Sequence, residues 1–206
     1  MVPFLASIRE ETGVTLSDLN LGGGYGVRYT DEDEAINIPA RLAELAAYLK
    51  EETERLGLPM PRFLMEPARS IVADAGMTLY TVGSVKRIPG YKQYAAVDGG
   101  MTDNPRYALY QSRYTVYHAH KSGSMERFDV VGRCCESGDI IQPGVELPGD
   151  TCRGDILAVC TTGAYNYSMA SNYNRLPRPA VVMLTPDRIY EAVRRETFAD
   201  LTALDL

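Results

Sequence analysis

The pattern of apolar residues changes near residue 80, and the two parts of the chain predict different folds. Before this point Leu42, Leu45 and Leu49 recur at helical spacing between two short apolar segments, residues 14–21 and 62–65. A strand, a helix and a second strand in this order form a βαβ unit. We expect its two strands to be parallel neighbours.

Beyond residue 80 the chain alternates short apolar segments with turn residues. The segments are rich in valine, tyrosine and isoleucine, and they span residues 80–88, 94–98, 107–117, 127–131, 155–159 and 180–184. This spacing predicts an antiparallel β-sandwich or β-barrel, closed by a helix over residues 186–204. The predicted fold class is therefore α/β followed by all-β, with one domain over residues 1–80 and a β domain over residues 81–206.

Charge and cysteine usage exclude several kinds of function. The 206 residues carry a formal net charge of −6, and their 21 Lys and Arg form no basic stripe for nucleic acid or an anionic membrane. No apolar run reaches the roughly 20 residues of a spanning helix, and the N-terminus lacks a signal-peptide pattern. The four cysteines show no zinc-ligand spacing and no need for disulfides. We expect a cytoplasmic protein without a metal site.

Two segments of the first part could bind an anion. Three glycines at 22–24 separate the first predicted strand from the helix, so their backbone N–H groups could approach a phosphate closely. A Glu-Pro-Ala-Arg sequence at 66–69 follows the second strand, at the edge where parallel α/β folds collect their ligands. Simpler explanations are a tight turn for the glycines and a surface ion pair for Glu66 and Arg69.

Two segments of the second part carry groups suited to proton transfer or binding. Cys135 and Glu136 lie in a turn between β segments, where the thiol could donate a proton and the carboxylate could hold a cation. A β-turn with one buried cysteine explains the same residues. Tyr165 follows Gly163 and Ala164 in a corner that is usually a packing feature.

Taken in order, the motifs resemble one enzyme family. The series is Leu-Asn-Leu-Gly-Gly-Gly at 19–24, Glu-Pro-Ala-Arg at 66–69, Val-Asp-Gly-Gly-Met at 97–101, Arg-Tyr-Ala-Leu-Tyr at 106–110, Cys-Glu-Ser-Gly-Asp at 135–139, Gly-Ala-Tyr at 163–165, Ser-Asn-Tyr-Asn at 171–174 and Arg-Arg-Glu-Thr at 194–197. It resembles the C-terminal portion of diaminopimelate decarboxylases, fold-type III pyridoxal 5'-phosphate enzymes of the alanine racemase and ornithine decarboxylase superfamily. The resemblance implies the C-terminal part of a (β/α)8 barrel followed by an antiparallel β-sandwich or barrel domain.

The resemblance implies that the first part of the chain binds pyridoxal 5'-phosphate. Gly23 and Gly24 would offer backbone N–H groups to the phosphate, and Glu66 would face the pyridine nitrogen and keep it protonated. Arg69 would hold the phosphate or a substrate carboxylate. The implied cofactor-binding residues are Gly23, Gly24, Glu66, Pro67, Ala68, Arg69 and Tyr165.

The resemblance also implies which residues act on the substrate. Cys135 matches the family's proton donor, and Glu136 matches the acid that holds the distal ammonium of the substrate. The implied substrate-binding residues are Arg69, Arg106, Tyr110, Glu136 and Tyr165. The implied reaction converts meso-2,6-diaminopimelate into L-lysine and CO2 in a site shared across a homodimer. Alternatives are an ornithine-, arginine- or carboxynorspermidine-type decarboxylase, or a non-catalytic module that binds a full-length homologue.

Two features depart from the family pattern. The lysine that binds the cofactor lies on the first barrel strand of the family, and no lysine of this chain matches it. We therefore expect the chain alone to be inactive. Ala68 stands where the family usually has glycine, and alanine would cost about 1 kcal/mol or more if this position needs a positive φ.

Overall fold

The computed structural model describes all 206 residues, which separate into two compact units. The first unit comprises residues Met1–Arg28 and Asp33–Val72, and the second comprises Tyr29–Glu32 and Ala73–Leu206. Each unit buries an apolar cluster of its own. None of the helices has the length and apolar character that a bilayer crossing requires.

The first unit combines two short parallel strands with helices. Its elements are α1 (Val2–Thr12), β1 (Asp18–Asn20), α2 (Ile38–Arg55), β2 (Arg62–Leu64) and α3 (Arg69–Val72). Strands β1 and β2 pair in parallel with Leu19 opposite Phe63, which confirms the predicted βαβ pairing. Helix α1 precedes this predicted unit and contributes Val2 and Leu5 to its apolar cluster.

Local sequence explains both ends of α2. The Asn37 side chain accepts a hydrogen bond from the Ala40 N–H at 3.1 Å, and a proline occupies the first turn, where no intrahelical donor is needed. After the helix ends, Gly57 adopts a φ of 63°, which glycine tolerates without steric cost. One side of the helix buries Leu49 with the strand residue Leu19.

The second unit is a six-stranded, nearly closed sheet with a separate hairpin. Its elements are β3 (Met77–Ile88), β4 (Lys92–Val97), α4 (Arg106–Tyr110), β5 (Val116–His118), β6 (Met125–Val131), β7 (Ile140–Pro148), β8 (Ile156–Cys160), α5 (Asn166–Met169), β9 (Val181–Leu184), β10 (Ile189–Val193) and α6 (Phe198–Thr202). The strand order is β5-β8-β3-β4-β6-β7. The Tyr114 N–H donates to Gln142 Oε1 at 2.9 Å, which links the two edges of the sheet.

The core of this unit lies inside the sheet. Phe128, Ile141, Leu147 and Leu157 are fully buried there, on β6, β7 and β8. Along β8, buried Leu157 and Val159 alternate with less buried residues, as expected for a strand with one face toward a core. The sheet departs from the predicted antiparallel arrangement at one place, because β4 and β6 pair in parallel.

Two predicted elements of the second unit are wrong. Residues 107–117 were predicted as one strand, but Arg106–Tyr110 is a helix, and only Val116–His118 pairs in the sheet. Gln111 ends the helix with a φ of 54°, and its N–H donates to the carbonyls of Arg106 and Tyr107. The left-handed backbone conformation of Gln111 turns the chain before β5 begins.

The predicted helix over residues 186–204 is wrong over most of its length. Residues Ile189–Val193 form β10, which pairs antiparallel with β9, and only Phe198–Thr202 is helical. Thr197 and Asp200 explain the late start, because their side chains each accept a hydrogen bond from the other residue's backbone N–H in a capping box.

Asp155 makes the stability of the second unit depend on pH. Burial would raise the pKa of its carboxyl. However, the Lys121 ammonium at 2.7 Å, the Cys152 N–H at 2.8 Å and the His118 Nε2 at 3.1 Å outweigh burial and hold that pKa well below its usual value. A depressed carboxyl pKa stabilises the fold above the pKa of the unfolded chain, about 3.9, and this contribution is lost as pH falls toward the folded value.

We expect Asp155→Asn to lower the free energy of unfolding by about 2 kcal/mol at pH 7, because it removes the charged acceptor of these bonds. The loss should shrink as pH is lowered from 5 to 2. Urea unfolding of both proteins across this range measures the difference. Asp150→Asn is the control, since Asp150 is exposed and its carboxylate lies 3.9 Å from Lys121. A difference that does not change with pH would contradict the prediction.

Candidate functional site

The glycine loop and the Glu-Pro-Ala-Arg turn meet in the first unit. The pairing of β1 with β2 continues into them, because the Glu66 N–H donates to the Gly22 carbonyl at 2.7 Å. A Cβ on Gly23 would lie 2.2 Å from the Glu66 carbonyl oxygen, so a side chain cannot fit without moving the backbone. Gly24 has a φ of 96° and open space around it. The loop therefore presents exposed backbone beside Glu66.

Asn20 joins the glycine loop to the Glu66 carboxylate. Its Nδ2 donates to Glu66 Oε1 at 2.6 Å, and its Oδ1 accepts from the Gly22 N–H at 2.8 Å. The second oxygen of the exposed Glu66 carboxylate remains for another donor. Sequence reasoning included Asn20 in the glycine motif but gave it no role. The available signal was an amide at the end of a strand, directly before the glycines.

Ala68 occupies the left-handed region. Its φ is 39°, a conformation in which a Cβ is disfavoured, so the position would suit glycine better. The preceding Pro67 accepts hydrogen bonds from the Ser70 N–H and hydroxyl at 3.1 and 3.0 Å, which closes the turn into α3. Arg69 is the first residue of that helix.

We expect Ala68→Gly to raise the free energy of unfolding of the first unit by about 1 kcal/mol, because it relieves the positive φ. Thermal or denaturant unfolding measures the change. The matched control is Ala46→Gly in exposed helix α2, which should lower stability by about 1 kcal/mol. Equal losses in the two variants would show that Ala68 carries no strain.

Arg106 is a buried cation in the second unit. Only 6% of the residue is exposed, its Nε has no hydrogen-bond partner, and its terminal nitrogens make only long contacts, to Ser112 Oγ at 3.5 Å and Met169 Sδ at 4.0 Å. No carboxylate forms an ion pair with it. Because an unpaired buried charge is costly, this guanidinium is suited to an anionic ligand.

Two tyrosines border the Arg106 guanidinium. Its Cζ lies 5.3 Å from the ring centre of Tyr110 and 5.4 Å from that of Tyr165. Tyr110 is one turn away on α4, and Tyr165 precedes α5 with a φ of 69°. The structure thus brings together three of the residues predicted to bind substrate.

Cys135 and Glu136 lie on the exposed turn between β6 and β7. The Cys135 N–H donates to Asn174 Oδ1 at 3.2 Å. Glu136 Oε1 accepts from the Ser137 hydroxyl at 3.2 Å and the Gly138 N–H at 3.1 Å, which leaves its second oxygen for a ligand. Both side chains are exposed.

The neighbouring thiol, that of Cys134, is less accessible than that of Cys135. Cys134 is half-buried, and burial together with the Asp139 carboxylate raises the pKa of its thiol to about 11. At neutral pH Cys134 is therefore a protonated and poorly reactive thiol. Of the adjacent pair, Cys135 is the one that can face a ligand.

The fold and these loops define a known class of enzyme domain. Residues 15–163 match the family described as pyridoxal-dependent decarboxylase, C-terminal sheet domain. The chain belongs to the pyridoxal-dependent decarboxylases.

Curated relatives are diaminopimelate decarboxylases. The protein from Bacillus subtilis is 49% identical over 190 residues, which cover 91% of this chain and 43% of that protein. The protein from Halalkalibacterium halodurans is 44% identical over 204 residues, which cover 98% of this chain and 46% of the relative. The chain thus spans less than half the length of these relatives.

Solved structures agree with this match. Diaminopimelate decarboxylase from M. jannaschii, in co-complex with L-lysine, has a TM-score of 0.87 and 32% identity, and the match covers 99% of this chain and 46% of that one. Lysine/ornithine decarboxylase from Vibrio vulnificus, complexed with cadaverine, has a TM-score of 0.68 and 25% identity over 83% of this chain and 44% of that one.

Proposed function

We propose that this chain is the C-terminal half of a diaminopimelate decarboxylase, which converts meso-2,6-diaminopimelate into L-lysine and CO2. The observation that carries the proposal is the buried, unpaired guanidinium of Arg106 beside Tyr110. This guanidinium suits a substrate that carries a second carboxylate, distant from the carbon that loses CO2. Diaminopimelate has such a group, whereas ornithine and arginine lack it.

The first unit fits pyridoxal 5'-phosphate. Exposed Gly23 and Gly24 offer backbone without side chains to a phosphate, and Glu66 has one carboxylate oxygen fixed by Asn20 and one available for a pyridinium N–H. When bound, the cofactor ring accepts the electron pair that the departing carboxylate leaves on the substrate. Glu66 keeps the ring nitrogen protonated, and Arg69 contributes a cation to the phosphate or the substrate carboxylate.

The second unit recognises the substrate and returns its proton. Arg106 and Tyr110 bind the distal carboxylate, with Tyr165 beside them. Glu136 Oε2, which makes no hydrogen bond within the chain, accepts a hydrogen bond from the distal ammonium. The exposed Cys135 thiol donates a proton to the carbon that has lost CO2, a role for which the protonated Cys134 is less accessible.

We further propose how the half-enzyme is completed. The parallel pair β1 and β2 belongs to the closing part of a (β/α)8 barrel, and residues beyond about 80 form the sheet domain. A second copy contributes the Cys135 turn to the neighbouring cofactor site, so the working form is a homodimer. All four cysteines are free, which suits a reducing cytoplasm.

Reconstitution tests the proposal. The chain is co-expressed with the amino-terminal half of the Bacillus subtilis relative, and CO2 release is measured with meso-diaminopimelate, ornithine and arginine. We expect diaminopimelate to react at least 100-fold faster than the others. An assembled complex that releases no CO2, or that prefers ornithine, would overturn the proposal.

A matched pair of arginine variants tests whether Arg106 binds the substrate. Arg106→Gln should raise the KM for diaminopimelate at least tenfold, because the buried cation is lost. Arg113→Gln removes an exposed arginine paired with Glu32 and should leave KM within twofold. Equal effects of the two changes would show that Arg106 does not contact the substrate.

A further inference from the structure

Asp139 is a buried carboxylate held by backbone N–H groups. Only 4% of the residue is exposed, and no lysine or arginine pairs with it. Its Oδ1 accepts from the Met101 N–H and its Oδ2 from the Cys134 N–H, both at 2.6 Å. Charge-assisted bonds of this length compensate for burial of the carboxylate.

These two N–H groups belong to different loops. Met101 lies in the loop 98–105, which leads directly into α4 and Arg106. Cys134 lies in the turn 132–139, which carries Cys135 and Glu136. The backbone adds a second link, because the Arg133 N–H donates to the Gly99 carbonyl at 3.2 Å. One carboxylate therefore ties the loop before Arg106 to the turn that bears Cys135.

Two glycines make room for this carboxylate. A Cβ on Gly100 would lie 2.5 Å from an Asp139 carboxylate oxygen, and a Cβ on Gly132 would lie 2.3 Å from one. Gly132 also donates its N–H to the Asp139 carbonyl at 2.9 Å, which closes the base of the turn. A glycine in each loop therefore leaves space for the Asp139 carboxylate.

We propose that Asp139 is a positioning residue, whose carboxylate fixes the turn bearing Cys135 and Glu136 relative to the loop that leads to Arg106. This inference rests on the proposed function, because the position of the turn matters for catalysis only if Cys135 and Glu136 act on the substrate. Asp139 does not contact the substrate in this role. It acts by holding the turn that carries the proton donor in a fixed place on the sheet unit.

Asp103 provides a matched control within the same loop. It is also buried, and its carboxylate accepts hydrogen bonds from the Gly100 N–H at 2.9 Å and from the Tyr80 hydroxyl. It makes no hydrogen bond to the turn 132–139. Asp103→Asn therefore perturbs the loop without releasing the Cys135 turn.

Amide hydrogen exchange in this chain tests the link without reference to decarboxylation. Asparagine at 139 can keep one accepting oxygen, but its NH2 group cannot accept the second N–H. In Asp139→Asn we expect exchange at Met101 or Cys134 to accelerate at least tenfold, whereas Asp103→Asn should accelerate only Gly100. Unchanged exchange at both amides in Asp139→Asn would overturn the inference.

A second measurement covers the case in which Asp139→Asn does not fold. In the unmodified chain, NMR should detect scalar couplings across the two hydrogen bonds, from the Asp139 side-chain carboxyl carbon to the Met101 and Cys134 nitrogens. The absence of both couplings would contradict the link.

The reconstituted enzyme tests positioning itself. Asp139→Asn should lower kcat at least tenfold and leave cofactor affinity within twofold, while Asp103→Asn should leave kcat within twofold. Faster exchange with an unchanged kcat would overturn the positioning role. Failure of the proposed function is distinguishable, because unmodified protein would then release no CO2 although its amide exchange matched expectation.

Discussion

We expect Phe128→Ala to lower the free energy of unfolding of the second unit by about 3–5 kcal/mol, the usual cost of truncating a fully buried aromatic side chain. Phe128 lies at the centre of the sheet cluster and is completely inaccessible to solvent. Removing its ring leaves a cavity lined by neighbouring strands. Denaturant unfolding, monitored by the circular dichroism of the sheet, measures the loss.

The control for this prediction lies on the same strand. Met125 is 53% exposed at the start of β6, and Met125→Ala should change stability by less than about 0.5 kcal/mol. A loss below about 1 kcal/mol in Phe128→Ala would show that the sheet does not enclose a tightly packed core.

The second large effect is expected at the glycine loop. Gly23→Ala places a methyl group 2.2 Å from the Glu66 carbonyl oxygen, so the two backbone segments must separate. Such overpacking costs about 1–3 kcal/mol. The hydrogen bond from the Glu66 N–H to the Gly22 carbonyl should break. The Glu66 amide hydrogen should then exchange with solvent at least tenfold faster.

Gly123 supplies the matching control. An added Cβ there meets nothing within 4 Å, and its φ is not positive, so Gly123→Ala should be close to neutral. If Gly23→Ala is also neutral and the Glu66 amide stays protected, the glycine loop does not approach the Glu66 backbone as closely as described.

Sequence pattern predicts the fold well where elements are regular and local. The βαβ pairing and α2 follow from helical spacing, a capping asparagine and terminating glycine and proline. Strand β7 was not predicted, because Pro143 and Gly144 interrupt it at an irregular register with β6. The segment 107–117 is rich in β-favouring residues, yet tertiary contacts of Arg106 and a left-handed Gln111 impose a helix and a turn.

The candidate site is predictable in its residue types but not in its connections. Motif order pointed to Glu66, Arg106 and Cys135, whereas no spacing rule indicates that Asp139 reaches an N–H 38 residues away. The same holds for Asn20, which contacts Glu66 across 46 residues. Such links depend on the packed fold, so single-sequence patterns do not reveal them.

Cys135→Ala tests the proposal that this chain supplies the proton donor of a decarboxylase site. In the enzyme reconstituted with the amino-terminal half, we predict that release of L-lysine from diaminopimelate falls at least 100-fold, a typical contribution of a general acid, while cofactor affinity is retained. The control, Cys152→Ala, removes another exposed thiol and should keep the full rate. An unchanged rate of lysine formation in Cys135→Ala would show that Cys135 is not the proton donor.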